Sequence, residues 1–147
     1  MSTIILRGLD NRLVIQKLEL RNFQAHTKTR ITCGLLVTVI GRTDAGKSSI
    51  VRALRWLVTN KPGGREFIKH GEEQCKVRVQ VDGQTVSRVR GKSLNTYAIG
   101  KDVFKAFGAA VPDKVRTALN LSEINFQQQH DGPFWFTLSP PEVARRL

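Results

Sequence analysis

Residues 41–48, Gly-Arg-Thr-Asp-Ala-Gly-Lys-Ser, fit the pattern G-x-x-x-x-G-K-[ST] at every fixed position. No other stretch restricts the fold as much. Glycines at both ends let the backbone curl until successive N–H groups point inward, a cradle for phosphate oxygens. Such a cradle needs a strand to deliver the chain and a helix to leave it, because the helix N-terminus adds its positive end. Both are readable here. "CGLLVTVIG", residues 33–41, is a short β-rich apolar run and predicts a buried strand ending at Gly41. After the loop, Ile50, Val51, Leu54, Leu57 and Val58 recur at three- and four-residue spacing, which predicts a helix with one apolar face. "NKPGG", residues 60–64, stops it. Gly41, Arg42, Thr43, Asp44, Ala45, Gly46, Lys47 and Ser48 are therefore candidate nucleotide-binding residues. Lys47 is a point charge for the terminal phosphates and Ser48 a hydroxyl for magnesium.

The flanking segments read mainly as strands. In "LVIQKLELR", residues 13–21, Val14, Leu18 and Leu20 alternate with Gln16, Lys17, Glu19 and Arg21, and "NFQAHTKTRI" follows as a polar turn and a return strand. In "CKVRVQVDGQTVSRVRG", Val77, Val79 and Val81 alternate with Lys76, Arg78 and Gln80, and Asp82-Gly83 predicts a hairpin. One face of that hairpin is expected to be apolar and the other rich in Lys and Arg. "GKDVFKAFG", residues 100–108, reads as a short helix. "PDKVRTALN" reads as a second, with Pro112 at its start and Asp113 at its positive end. "LSEINFQQQH" is partly apolar and suits a strand. "SPPEVARRL" opens like a helix, with Ser139 as cap and Glu142 three residues later.

Composition narrows the class. At 147 residues the chain is one ordinary domain. No apolar run approaches the roughly 18–20 residues of a membrane span. The patch Ile4–Leu6 lacks the basic segment and cleavage site of a secretory signal. Cys33 and Cys75 form no metal spacing and read as free thiols in a reducing compartment, so the expected location is cytoplasmic. Twenty-four Lys and Arg stand against 12 Asp and Glu, a net charge of +12, which points to a polyanionic partner or to a solvated surface.

A phosphate loop binds but does not hydrolyse unaided. Hydrolysis needs an acidic magnesium or water partner, normally at the end of another strand. "VRVQVDG" ends in Asp82, but Gly83 makes that a turn, and no other apolar strand after the loop ends in an acid.

Three segments, in order, resemble one family. "LELRNFQAH" (18–26) is similar to the opening strand and turn of SMC- and SbcC-type ATPase heads, which are of the ABC class. "GRTDAGKSSIVRALRWLVTNKPGGREFIKHG" (41–71) resembles the bacterial and phage branch of SbcC-like double-strand-break repair ATPases. "NFQQQHDGPFWFTLSPPEVARRL" (125–147) resembles the segment around the family's Q-loop, which leads into a coiled coil. The resemblance implies an α/β, P-loop NTPase half-head of ABC-ATPase type with an antiparallel β-hairpin subdomain. It implies ATP and Mg as cofactors. Residues 1–147 would be the N-terminal half of a split head, ending where the coiled coil begins. The C-terminal half of the same head would supply the signature motif and the Walker B acid, so this stretch alone would be inactive. Further implied partners are a second head in a homodimer, double-stranded DNA and a nuclease subunit; no membrane is implied.

Residue by residue, Gly41 to Ser49 match the family's phosphate loop, with Arg42 and Thr43 at its variable positions. Gln129 matches the Q-loop glutamine that joins the magnesium shell, with Gln127 and Gln128 as neighbouring alternatives. Gln24 and Ala25 fall where relatives place residues that touch the nucleotide, often an Arg, and a Gln here departs from that pattern. The family's small antiparallel sheet faces duplex DNA. On that basis Arg78, Arg88, Arg90 and Lys92, on or beside the hairpin, are candidate phosphate contacts or ordinary edge charge. Phe134, Trp135 and Phe136 suit core packing or coiled-coil docking better than base stacking. Two other classes remain: a small self-contained P-loop regulator or nucleotide kinase, and a DNA-binding module whose loop is occupied but idle.

Overall fold

The computed structural model describes residues 2–4, 15–34, 36–106, 110–126, 139 and 141. Alternation in the sequence becomes a sheet with one buried face. Strands β1 (Ser2–Ile4), β2 (Lys17–Phe23), β3 (His26–Thr32) and β4 (Val37–Val39) precede helix α1 (Lys47–Thr59). Strands β5 (Gln74–Val81), β6 (Gln84–Gly91), β7 (Asn95–Ile99) and β8 (Asp102–Lys105) follow, then helix α2 (Asp113–Leu119) and a 3-10 turn, Glu123–Asn125. Six strands form one sheet in the order β3-β2-β5-β6-β7-β8, and every neighbouring pair in it is antiparallel.

Leu18 and Leu20 of β2, Val77, Val79 and Val81 of β5, and Val86 of β6 bury the same face. Against it α1 lays Ile50, Leu54, Leu57 and Val58 of the stripe expected from its periodicity, with Ala53 buried beside them and Val51 only half-buried. In β2 the alternation breaks at Asn22, whose φ of 50° turns the chain so that Phe23 is buried instead. Phe23 then stacks on Phe67 with ring centroids 5.3 Å apart, and Trp56 tilts against both. Helix α2 covers β6 and β7 with Val115 and Leu119. The Asp82-Gly83 hairpin forms as expected, both residues lying in the left-handed region that a tight two-residue turn requires.

Three expectations need correction. Residues 102–105 are strand rather than helix: Val103 and Phe104 pair with the open edge of β7, whose hydrogen bonds outweigh a helix of two turns. Residues 123–125 are a 3-10 turn rather than strand, closed by Ser122 and Asn125 bonding reciprocally. The strand before the loop is short and only half-buried. β4 pairs with β1 alone among the described residues, and the adjacent Leu36 and Ile40 are 58% and 76% exposed. The antiparallel hairpin β5–β6 forms as expected and lies at the centre of the six-stranded sheet. The helix expected from Ser139 onward lies outside the described residues except at Ser139 and Pro141. No helix among them is long and apolar enough to cross a membrane.

Candidate functional site

The loop between β4 and α1 is open to solvent: Gly41 through Ala45 are exposed, Gly46 and Lys47 half-exposed, and Ser48 exposed. Gly46 caps α1 with φ 85°. A side chain there would be strained, and its Cβ would lie 3.0 Å from His26 Nε2 and 3.1 Å from Ala25 Cβ. Both backbone conformation and close packing therefore demand glycine. Lys47 Nζ folds back over the loop and donates to the carbonyl oxygens of Gly41 at 2.8 Å and Arg42 at 2.5 Å. That leaves the loop with an ammonium at its centre and the free N–H end of a thirteen-residue helix beside it. These donors suit phosphate oxygens. Ser49 is buried in the first turn, and its N–H donates to the Gly46 carbonyl at 3.0 Å.

For a divalent cation, the described residues supply the exposed Ser48 hydroxyl beside the loop and no cluster of three His, Cys, Asp or Glu side chains. Gln127, Gln128 and Gln129 lie outside the described residues, as do Phe134, Trp135 and Phe136.

The turn joining β2 to β3 abuts the loop. Ala25 is exposed beside Gly46. Gln24 sits at φ 47°, donates its N–H to the Phe67 carbonyl at 2.7 Å, and keeps its side-chain oxygen buried. His26, which sequence reasoning passed over, reaches the loop directly: its Nε2 is 3.0 Å from the Gly46 carbonyl oxygen and its Nδ1 2.8 Å from Thr29 Oγ1. Nothing in a lone histidine at a strand start signals this contact, which depends on where β3 places it.

The candidate phosphate contacts do not share a face. In the β5–β6 register Arg88 opposes Val77 and Arg90 opposes Cys75, so both belong to the sheet face that carries α1. Arg88 is 1% exposed. Its guanidinium lies over the Trp56 ring, donates from Nη1 to the Trp56 carbonyl oxygen at 2.8 Å, and approaches the Tyr97 ring at 5.1 Å. As placed, Arg88 is therefore not a surface contact for DNA: a strand that alternates Arg with Val can turn its arginines inward when an aromatic box receives them. Burial pushes the Arg88 guanidinium down to about 10, the neighbouring Tyr97 opposing the shift. Arg90 is half-buried, and Lys92 is exposed beyond the end of β6.

The opposite face carries the cations instead. Three rows cross β3, β2 and β5: Thr32–Lys17–Gln80, Arg30–Glu19–Arg78 and Lys28–Arg21–Lys76. Glu19 is the one carboxylate among six basic side chains. It pairs with Arg30 at 2.7 Å and Arg78 at 3.6 Å. The third row has three cations directly opposite one another and no acid. Lys76 is pulled below the usual lysine range, first by partial burial and then by Arg78 and Arg21, with Glu19 acting against the shift.

Residues 17–130 match the family described as AAA domain. Among solved structures, the chain is similar to the recombination mediator protein RecF of the RecFOR pathway in its ATP form. The TM-score is 0.55 at 19% identity, over 63% of this chain and 28% of that one. The ATPrS form of RecF gives 0.52 at 18% identity, again over 63% and 28%. The chain thus spans little more than a quarter of the length of those proteins, and what it shares with them is the fold. No curated protein matches the chain.

Proposed function

Because the chain belongs to the AAA domain family over residues 17–130, we propose that it is the ATP-binding N-terminal part of a split, SbcC-like ATPase head that acts on DNA ends with a nuclease partner. The observation that carries the reading is Lys47 Nζ held at the centre of an exposed loop by the Gly41 and Arg42 carbonyls, at the N-terminus of α1. In this reading the loop N–H groups and Lys47 bind and orient the terminal phosphates, and Ser48 holds magnesium together with Gln129. When bound, ATP would supply a phosphoryl group for transfer to water, and magnesium held by Ser48 would offset its charge.

The C-terminal half of the head supplies the acid that activates water, and a second head closes over the nucleotide. The cytoplasm is the site of action. Duplex DNA is held by phosphate contacts to the three cationic rows of β3, β2 and β5, with no base readout, because no recognition helix accompanies them among the described residues. The support for that surface is its charge: six cations to one carboxylate on the face away from α1.

Nucleotide binding is tested by melting the chain with and without ATP. A ligand bound only to the folded state raises the melting temperature. Lys47→Ala should lose most of that rise, and an equal rise in the variant would place the ligand elsewhere.

A further inference from the structure

We infer that His26 is a positioning residue for the phosphate loop, aiming the Lys47 backbone N–H into the cradle by gripping the carbonyl of the preceding residue. The inference rests on the reading of residues 41–48 as a phosphate site. Gly46 O receives one hydrogen bond from inside the helix, from Ser49 N–H at 3.0 Å, and one from outside, from His26 Nε2 at 3.0 Å. A carbonyl only accepts, so Nε2 carries the hydrogen. In the neutral ring Nδ1 then accepts from the Thr29 hydroxyl at 2.8 Å, which selects that tautomer and fixes the ring plane.

The peptide between Gly46 and Lys47 is planar and trans, so its C=O and N–H point in opposite directions. Whatever holds the carbonyl outward turns the Lys47 N–H toward the loop. Gly46 is the residue least able to hold that plane by itself, since glycine at φ 85° has no side chain to restrain it. His26 supplies the restraint from a sheet strand whose partners are hydrogen-bonded along its length. A Cβ on Gly46 would lie 3.0 Å from His26 Nε2 and 3.1 Å from Ala25 Cβ, so the β2–β3 turn packs closely on this glycine.

The test uses the 147-residue chain with ATP as probe, and reads affinity by titration calorimetry alongside the unliganded melting temperature. His26→Gln keeps a side-chain N–H at similar reach; His26→Asn is too short, and His26→Ala has no donor. His26→Ala and His26→Asn should each weaken ATP about five-fold, the size of one net hydrogen bond, while His26→Gln stays within about two-fold of the parent. In His26→Ala the Lys47 amide resonance should shift while those of the β5–β6 hairpin stay in place. Equal affinities for His26→Gln and His26→Asn overturn the inference, even if His26→Ala does not fold. Unchanged ATP affinity in folded His26→Ala overturns it as well. Lys47→Ala run in parallel separates the two levels. If it keeps ATP binding, the phosphate-loop reading fails; if it loses binding while the His26 variants do not, only the role of His26 fails.

Discussion

The guanidinium carbon of Arg88 lies 3.7 Å from the centre of the Trp56 ring, and the same side chain donates to the Trp56 carbonyl oxygen. Trp56 is in the last turn of α1, where the helix dipole is negative, and its carbonyl oxygen also accepts the Asn60 N–H at 3.0 Å. Tyr97 repeats the arrangement one residue on, its hydroxyl donating to the Leu57 carbonyl at 3.0 Å. The sheet therefore holds the phosphate-loop helix at both ends: His26 at its start and Arg88 with Tyr97 at its finish.

Arg88→Ala should destabilise the chain by about 3 kcal/mol, since it opens a cavity beside Trp56 and removes one of the two donors to the Trp56 carbonyl. Arg88→Met should cost about half as much, because it fills the space and removes a charge whose burial is unfavourable. Urea unfolding followed by tryptophan fluorescence distinguishes the two. Equal losses would mean that the hydrogen bond dominates and the packing does not.

Tyr97 is the one tyrosine in the sequence, so phenolate absorbance reports it alone. Burial raises its hydroxyl to about 12, with Arg88 pulling the other way. The native state then binds more protons than the unfolded state between about pH 10 and 12. The contribution of Tyr97 to stability is complete below about pH 10 and is lost as pH rises toward 12. A spectrophotometric titration of the folded chain should show no phenolate step near pH 10, and denaturant should restore it.

Replacing Lys28, Arg21 and Lys76 together by Ala should flatten the salt dependence of duplex binding by about 2.7 in log affinity per log salt, three contacts at about 0.9 each. The loss should be similar across unrelated duplexes. Without DNA the same variant should be at least as stable as the parent, because like charges directly opposite each other on neighbouring strands repel. Arg90→Ala with Lys92→Ala should change the slope less. A triple variant that keeps its slope would remove this face as the DNA surface.

The chain alone should release phosphate from ATP no faster than Lys47→Ala does. After the loop the sequence offers no apolar strand ending in an acid, and Asp82 sits at the tip of a hairpin. A clear rate dependent on Lys47, measured with a coupled phosphate assay, would mean that these residues complete a catalytic site.

The local parts of the site were readable because they are encoded by neighbours in the chain. Spacing of glycines, Lys47 and Ser48 makes a loop whatever surrounds it, the apolar stripe of α1 repeats every three or four residues, and Asp82-Gly83 turns a strand back on itself. Facing direction was a different matter. Arginine two residues apart on a strand reads as a solvated face. Yet Arg88 turns inward because α1 brings Trp56, and β7 brings Tyr97, to receive it, and neither partner is near it in sequence. The basic face was equally hidden, since its three rows assemble from β2, β3 and β5 and exist only in their register. His26 belongs to the same class: a histidine at position 26 meets a glycine at position 46 only when β3 and the loop pack together. The sequence determined the phosphate loop, helix α1, the β5–β6 hairpin and strand β2, through short-range periodicity and turn chemistry, but not β8 or the 3-10 turn at 123–125, where sheet-edge pairing and local capping prevailed. Tertiary structure decided which charges are buried, which are displayed and what grips the loop, because those depend on long-range pairing.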